Sequence, residues 1–186
     1  MVEPKSSKID KYIRKNYMKI ILAGDGAVGK TTMGKRLAGN LGTENNIKMT
    51  PGVEFHSLVI DSYEPIKIQL WDLGGQKQFR ELQDDFFDKA TIVILMFSVD
   101  RYHTFMNLES WLDLIPSNLL DKIYLIANKI DSDNRTVPRK KALQFANLHN
   151  MTYYEISAIT GRGFEEFQED LLNTIEYLYV VQTEND

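Results

Sequence analysis

Cysteine is absent from this chain of 186 residues. A chain without thiols has no disulfide framework, no cysteine-ligated zinc or iron–sulfur centre and no thiol nucleophile. Prenyl and palmitoyl groups are attached to cysteine sulfur, so we expect no lipid anchor of either kind. Val2 stands where myristoylation requires glycine. Any membrane contact is therefore expected to come from the first residues or from a partner.

Long hydrophobic runs and basic stripes are missing as well. No apolar run approaches the roughly 18 residues of a membrane-spanning helix, and the first residues contain no signal-peptide core. We therefore expect a cytoplasmic protein. The formal net charge is −4, and the absence of a basic stripe predicts that no nucleic acid is a partner. The hydrophobic content of 43% is typical of a globular chain, and the length favours one domain.

Positive charge is concentrated in the first 17 residues, whereas the last residues are acidic. Ile9, Tyr12 and Ile13 lie on one helical face among lysines of this segment. The segment is either a helix that binds weakly to an anionic membrane or a solvated extension. We therefore divide the chain into a basic extension at 1–17, a folded domain at 18–182 and an acidic tail at 183–186.

Strand-like apolar segments alternate with segments of helical periodicity, a pattern typical of an α/β fold. Strands are predicted at 18–23, 53–60, 66–71, 91–97, 123–127 and 152–156. Helices are predicted from about 30 to 39, across the apolar positions between Phe105 and Ile115, from Pro138, and from Phe164 to the end of the domain. In such a sheet the loops at the carboxyl ends of the strands are expected to bind the ligand.

A glycine-rich segment, 24–31, lies between the first predicted strand and a helix. Its sequence GDGAVGKT matches G-x-x-x-x-G-K-[ST] in the setting that this motif requires. The backbone N–H groups of such a loop surround a phosphate, and the helix N-terminus adds positive potential. Lys30 is predicted to reach the β- and γ-phosphates, and the Thr31 hydroxyl is a suitable ligand for Mg²⁺. The predicted phosphate-loop contacts with a nucleotide are Asp25, Gly26, Ala27, Val28, Gly29, Lys30, Thr31 and Thr32. These contacts are equally compatible with ATP and with GTP.

A second motif, Asn-Lys-Ile-Asp at 128–131, directly follows the strand predicted at 123–127. The Asp131 carboxylate can accept two N–H bonds from guanine N1 and N2, which adenine cannot supply. An unpaired Asp facing adenine would be costly, so the motif favours guanine. A backbone N–H after the next strand could meet the guanine oxygen. The predicted base contacts are Asn128, Lys129, Asp131, Ser157 and Ala158.

A third motif, Trp-Asp-Leu-Gly-Gly-Gln at 71–76, follows the strand predicted at 66–71. Asp72 is placed to hold Mg²⁺ through water. The Gly75 N–H can donate to the γ-phosphate, and Gln76 can orient an attacking water. We therefore predict Lys30, Gly75 and Gln76 as catalytic residues.

Together these motifs resemble those of the Ras superfamily of small GTPases over roughly residues 18–182. The resemblance implies a P-loop fold with a six-stranded, mostly parallel sheet, one antiparallel strand and helices on both faces. It also implies a GTP/GDP cycle with switch segments ordered by γ-phosphate and Mg²⁺. Thr50 would then be the switch I threonine, so that Thr31, Thr50 and Asp72 serve the metal. Implied partners of the monomeric GTPase are an effector, an exchange factor and an activating protein.

The features that separate subfamilies are mixed. The phosphate loop resembles that of Rho proteins, the motif at 71–76 is similar to Arf and Sar proteins, and other segments look Rab- or Ras-like. Phe55, Trp71 and Phe86 fall where Rab proteins present three aromatics to effectors, although three core aromatics are the alternative. Because residues between Leu37 and Thr50 include no arginine, we expect slow intrinsic hydrolysis that a partner's arginine accelerates.

Two other functions would use the same loop. A nucleotide or small-molecule kinase would need an arginine-bearing lid, for which Arg135 and Arg139 are poor candidates. A GTP-binding scaffold without turnover is disfavoured by the presence of Gly26, Thr50 and Gln76. The three histidines have no motif spacing, and the sequence assigns no chemistry to His56, His103 or His149.

Overall fold

The computed structural model describes residues 17–39, 50, 52–61, 65–75 and 86–184. Six strands form one sheet in the order β2-β3-β1-β4-β5-β6. The strand β2 runs antiparallel to β3, whereas the other four neighbouring pairs are parallel. The strands are β1 (Tyr17–Gly24), β2 (Val53–Ile60), β3 (Ile66–Leu73), β4 (Ile92–Ser98), β5 (Ile123–Asn128) and β6 (Thr152–Ile156).

The helices are α1 (Lys30–Leu37), α2 (Tyr102–Met106), α3 (Leu108–Leu112), α4 (Arg139–Leu148) and α5 (Phe164–Glu184), with a 3-10 helix at Ser117–Lys122. The single helix expected between Phe105 and Ile115 is instead divided at Asn107. Asparagine has a low propensity for helix interiors. The side-chain amide of Asn107 also donates a hydrogen bond to the Asp25 carboxylate. Within the described ranges no helix is both long and apolar enough to cross a bilayer.

Helices cover both faces of the sheet, as predicted. Successive residues of a strand point to opposite faces, and β1 shows this clearly because Ile20 and Leu22 join one buried cluster while Ile21 and Ala23 join the other. On the first face, α1 and α5 contribute Met33, Leu37, Phe167 and Leu171. On the second, α2, α3 and α4 contribute Phe105, Leu108, Trp111 and Ala142. The predicted fold class is thus confirmed.

The strand register brings the sequence motifs to one edge of the sheet. The strand pairing sets Leu22 of β1 beside Asp72 of β3, and Asn128 of β5 beside Ile156 of β6. Each motif lies at the carboxyl end of its strand: two begin at the last strand residue, and the motif at 71–76 begins two residues before it. Because parallel strands end at the same edge, segments far apart in sequence meet there.

Candidate functional site

A cavity at this edge is lined by three separate segments of the chain. The phosphate loop with the first turn of α1, Thr50, and the end of β3 with the residues that follow it all contribute. All but one of the lining residues, Leu73, are predicted site residues. The lining comprises Gly26, Ala27, Gly29, Lys30, Thr31, Thr32, Thr50, Asp72, Leu73 and Gly75.

The Lys30 side chain is buried inside the phosphate loop. Its Nζ donates to the carbonyl oxygens of Gly24 and Asp25, both at 2.8 Å. An ammonium has three donors, so one remains for a ligand. Burial lowers the pKa of Lys30 to about 8, an effect that the charges of Asp72 and Asp25 oppose. The negative charge of a bound phosphate would raise the pKa of Lys30 again and favour the charged ammonium.

Side-chain oxygens of Thr31, Thr50 and Asp72 lie close together beside the phosphate loop. The Thr31 Oγ1 donates to Asp72 Oδ2 and lies 3.0 Å from Thr50 Oγ1. Asp72 Oδ1 is buried and has no hydrogen-bond partner among the described residues. Burial raises the pKa of Asp72, although the hydrogen bond from Thr31 and the charge of Lys30 both act to lower it. Hydroxyl and carboxylate oxygens are the ligands that Mg²⁺ prefers, so this donor set fits the predicted metal.

The Asp25 carboxylate holds the phosphate loop against α2 and α3. It accepts hydrogen bonds from Asn107 Nδ2 at 2.6 Å and from the indole N–H of the fully buried Trp111 at 2.9 Å. Hydrogen bonds to a charged acceptor are stronger than neutral ones. Since the carboxylate is engaged in this way, a contact of Asp25 with a nucleotide would use its backbone.

Gly75 packs directly on the phosphate loop. A Cβ added to Gly75 would lie 2.2 Å from the backbone nitrogen of Gly26 and 2.3 Å from the carbonyl carbon of Asp25. Both neighbours are backbone atoms, which cannot rotate away, so no side chain fits there. The next residue, Gln76, lies outside the described residues, and its role in orienting water stays a prediction.

Asn128 joins the base motif to the phosphate loop. Its Nδ2 donates to the Val28 carbonyl oxygen at 2.8 Å, and its Oδ1 accepts from the Ala158 N–H at 2.9 Å. Gly29 has φ 102°, and a Cβ added there would lie 2.2 Å from Asn128 Nδ2. Glycine is therefore required both by conformation and by the close approach of the amide. Of the two backbone N–H groups predicted as candidates for the guanine oxygen, those of Ser157 and Ala158, the Ala158 N–H donates to Asn128 in this structure.

The remaining base-motif residues occupy the loop that follows β5. Lys129 has a left-handed backbone with φ 66°, and its Nζ lies 3.9 Å from Asp100 Oδ1. Burial lowers the pKa of Lys129. Asp131 is exposed, whereas Ser157 is fully buried and its hydroxyl accepts the Thr160 N–H. The loop therefore leaves the Asp131 carboxylate accessible to a ligand.

The three predicted effector aromatics lie side by side near the β2–β3 pair. The Phe55 and Trp71 ring centroids are 4.7 Å apart, and those of Trp71 and Phe86 are 6.2 Å apart. Phe55 is 53% exposed, and Lys19 Nζ lies 3.7 Å from the Trp71 ring centroid. The trio thus forms one continuous, partly exposed surface.

Comparison with known proteins identifies the family. The model of the Ras family matches residues 19–177. The chain belongs to the Ras superfamily of small GTPases. It is also 36% identical over 167 residues to Ras-related protein Rab-18-B of Danio rerio. The aligned region covers 84% of this chain and 80% of that protein. This Rab-like chain is thus a guanine-nucleotide-binding switch that hydrolyses GTP to GDP and phosphate, as predicted.

Some residues that shape the site of this GTPase were not singled out from the sequence. Arg36 of α1 donates to the carbonyl oxygens of Ala158 and Ile159 at 2.5 and 2.8 Å. Asn107 holds Asp25, 82 positions away in sequence. No short motif contains such pairs, because the fold alone brings them together. His56, which the sequence left without chemistry, lies beside Glu54 and Asp72.

Proposed function

We propose that this GTPase cycles with Mg²⁺, hydrolyses GTP slowly by itself, and binds effectors through the residues around Thr50 and Gly75. The observation that supports this most is the convergence of Lys30, Thr31, Thr50, Asp72 and Gly75 on one cavity. These residues come from separate segments, yet they supply the cation, the oxygens and the backbone N–H that a triphosphate requires.

The residues of the cavity have distinct roles in this proposal. The free donor of Lys30 binds the β- and γ-phosphate oxygens and stabilises the charge that develops as the bond to the γ-phosphate breaks. Thr31, Thr50 and Asp72 would hold Mg²⁺, which supplies further positive charge to the phosphates. Gly75 donates its N–H to the γ-phosphate, and Gln76 orients the attacking water. Loss of the γ-phosphate would release Thr50 and Gly75, which makes the two states distinguishable to partners.

Guanine recognition is assigned to the loops after β5 and β6. Asp131 accepts the N1 and N2 hydrogens of guanine, while Lys129 lies along the base. Asn128 fixes the distance between the base loop and the phosphate loop through its bond to Val28. In this proposal, therefore, Asp131 selects the base and Asn128 positions the two loops.

The proposed effector surface is formed by Phe55, Trp71 and Phe86. Their contact with one another and the exposure of Phe55 support recognition rather than a purely internal role. Phe55 lies in β2, which begins three residues after Thr50, and Trp71 precedes Asp72 directly in β3, so a change at the γ-phosphate can reach this surface through these two strands. The proposed partners are an effector, an exchange factor and an activating protein.

Intrinsic hydrolysis should be slow, because residues 38–49 offer no arginine to the phosphates. We expect a rate on the order of 10⁻⁴ to 10⁻² s⁻¹. A single-turnover assay of phosphate release from the GTP-loaded full chain measures it. Gln76→Leu, which cannot orient water, is the control and should be slower still. A wild-type rate above about 1 s⁻¹ without a partner would contradict the proposal.

A further inference from the structure

Three potential metal ligands meet on the α1 side of the β2–β3 pair. One ligand atom from each of Glu54, His56 and Asp72 lies within 4.8 Å of the other two. Among the described residues no other three His, Cys, Asp or Glu side chains come this close together. The phosphate chemistry described above uses neither Glu54 nor His56.

The strand register explains why these side chains share a face. Glu54 and His56 are two residues apart in β2, so their side chains point to the same side of the sheet. Glu54 is paired directly with Asp72 of β3. In an antiparallel pair, directly opposed residues also point to the same side. The three side chains are therefore placed together by the backbone itself.

Two polar atoms of this cluster are buried without a hydrogen-bond partner among the described residues: His56 Nε2 and Asp72 Oδ1. The His56 side chain is 8% exposed, and its Nε2 lies 3.9 Å from Glu54 Oε1, too far for a hydrogen bond. Buried polar atoms are normally satisfied by protein, water or a bound ion, so two unpaired atoms in one cluster mark a place where an ion can bind.

The His56 ring is held in position by α1. A Cβ added to Gly34 would lie 2.5 Å from His56 Cδ2, so the imidazole occupies the space that a side chain at Gly34 would fill. Glu54, in contrast, has a side chain that is 41% exposed and free to adjust. The cluster thus combines two fixed ligands with a movable third one.

We propose that Glu54, His56 and Asp72 bind a divalent transition-metal ion of the Zn²⁺ or Co²⁺ class at a second cation site. One imidazole with two carboxylates suits these ions, whereas Mg²⁺ prefers an all-oxygen set. Ligands at about 2.0–2.2 Å from such an ion lie roughly 3.4 Å apart in tetrahedral geometry. Since the three ligand atoms all lie within 4.8 Å of one another, side-chain movements of no more than roughly 1.4 Å would bring them to this spacing.

The proposal rests on the Mg²⁺ role of Asp72 in one respect. Asp72 would serve the nucleotide-bound Mg²⁺ through Oδ2, beside Thr31 and Thr50, and the second ion through Oδ1. The carboxylate would then bridge two cations, so that transition-metal binding and the nucleotide site share one ligand. His56 and Glu54 belong to the second site alone.

The experiment is a titration of the full chain with Co²⁺, followed by visible absorption. The protein carries no affinity tag, is loaded with GDP and is kept in excess Mg²⁺. The chain has no cysteine and three histidines, so an imidazole-dependent signal can be assigned by variants. His56→Asn and Glu54→Gln test the site. His149→Asn is the matched control, since its Nε2 is also buried and unpaired among the described residues.

We expect one Co²⁺ per chain in this titration, with affinity lowered on the order of 100-fold by His56→Asn and about 10-fold by Glu54→Gln. His149→Asn should bind as the wild type does. Wild-type Co²⁺ binding no tighter than that of His56→Asn would overturn the proposal. If His56→Asn does not fold, unchanged affinity in the exposed Glu54→Gln variant would overturn it instead. GDP binding that is insensitive to EDTA would separately contradict the Mg²⁺ role of Asp72.

Discussion

Replacing Asp131 with asparagine should lower the affinity for GTP by about 10²- to 10⁴-fold and create affinity for xanthosine triphosphate. In the proposed contact the carboxylate accepts two hydrogens from guanine, and each such charged hydrogen bond contributes about 1.5–3 kcal/mol. An asparagine amide turns one acceptor into a donor, which opposes the guanine N2 amine. Xanthine carries an oxygen at that position and can accept from the new N–H. Competition binding with both nucleotides measures the change.

Asp133→Asn is the matched control for this substitution. Asp133 is exposed and lies two residues beyond Asp131, so the variant makes the same chemical change in the same loop. It should bind GTP with wild-type affinity. Unchanged guanine preference in Asp131→Asn would refute the assignment of Asp131 to the base, while an equal loss in both variants would point to a general charge effect.

Replacing Gly75 with alanine should reduce GTP hydrolysis on the order of 10²- to 10³-fold, the effect of losing one backbone donor to a charged transition state. The new Cβ would meet the backbone of Gly26 and Asp25 at 2.2–2.3 Å, so the segment after β3 cannot remain against the phosphate loop. The γ-phosphate then loses the Gly75 N–H. GDP contains no γ-phosphate, and its affinity should therefore be nearly unchanged. Single-turnover hydrolysis and GDP titration separate these effects.

Gly39→Ala controls for the general cost of replacing a glycine. Gly39 has φ +72° and nothing within 4 Å of an added Cβ, so alanine there introduces backbone strain without a clash. Its stability should fall by about 1 kcal/mol with hydrolysis intact. A Gly75→Ala rate within a few-fold of the wild type would show that Gly75 does not approach the phosphates during turnover.

The sheet was predictable because each strand has a distinct local pattern. The nearly continuous apolar runs of β4 and β5 indicate burial on both faces, and alternation in β3 indicates one less buried face. The helix region near Trp111 was harder to predict, since the residue at its interruption, Asn107, makes its side-chain hydrogen bond to Asp25, which is 82 residues earlier. Hydrophobic spacing cannot report such a long-range hydrogen bond.

The residues that we propose for phosphate and metal binding could be selected from the sequence because short motifs contain most of them. Lys30, Thr31 and Asp72 sit in motifs whose chemistry explains every position, and the structure brings them together with Thr50 in one cavity. The role of Asn128 as a link between loops was not predictable, because it depends on a carbonyl 100 residues away. His56 was missed because pairing of β2 with β3, rather than sequence spacing, places it beside Asp72.

Thermal unfolding of the nucleotide-free wild type with GTP, GDP or ATP, each in Mg²⁺ and in EDTA, tests the central claim most directly. At ligand concentrations near 1,000 times Kd, GTP and GDP with Mg²⁺ should each raise Tm by about 10 °C. ATP should leave Tm unchanged, because adenine offers no N–H pair to Asp131, and EDTA should remove most of the gain. Equal stabilisation by ATP, or full stabilisation in EDTA, would contradict a guanine-specific site that uses Mg²⁺.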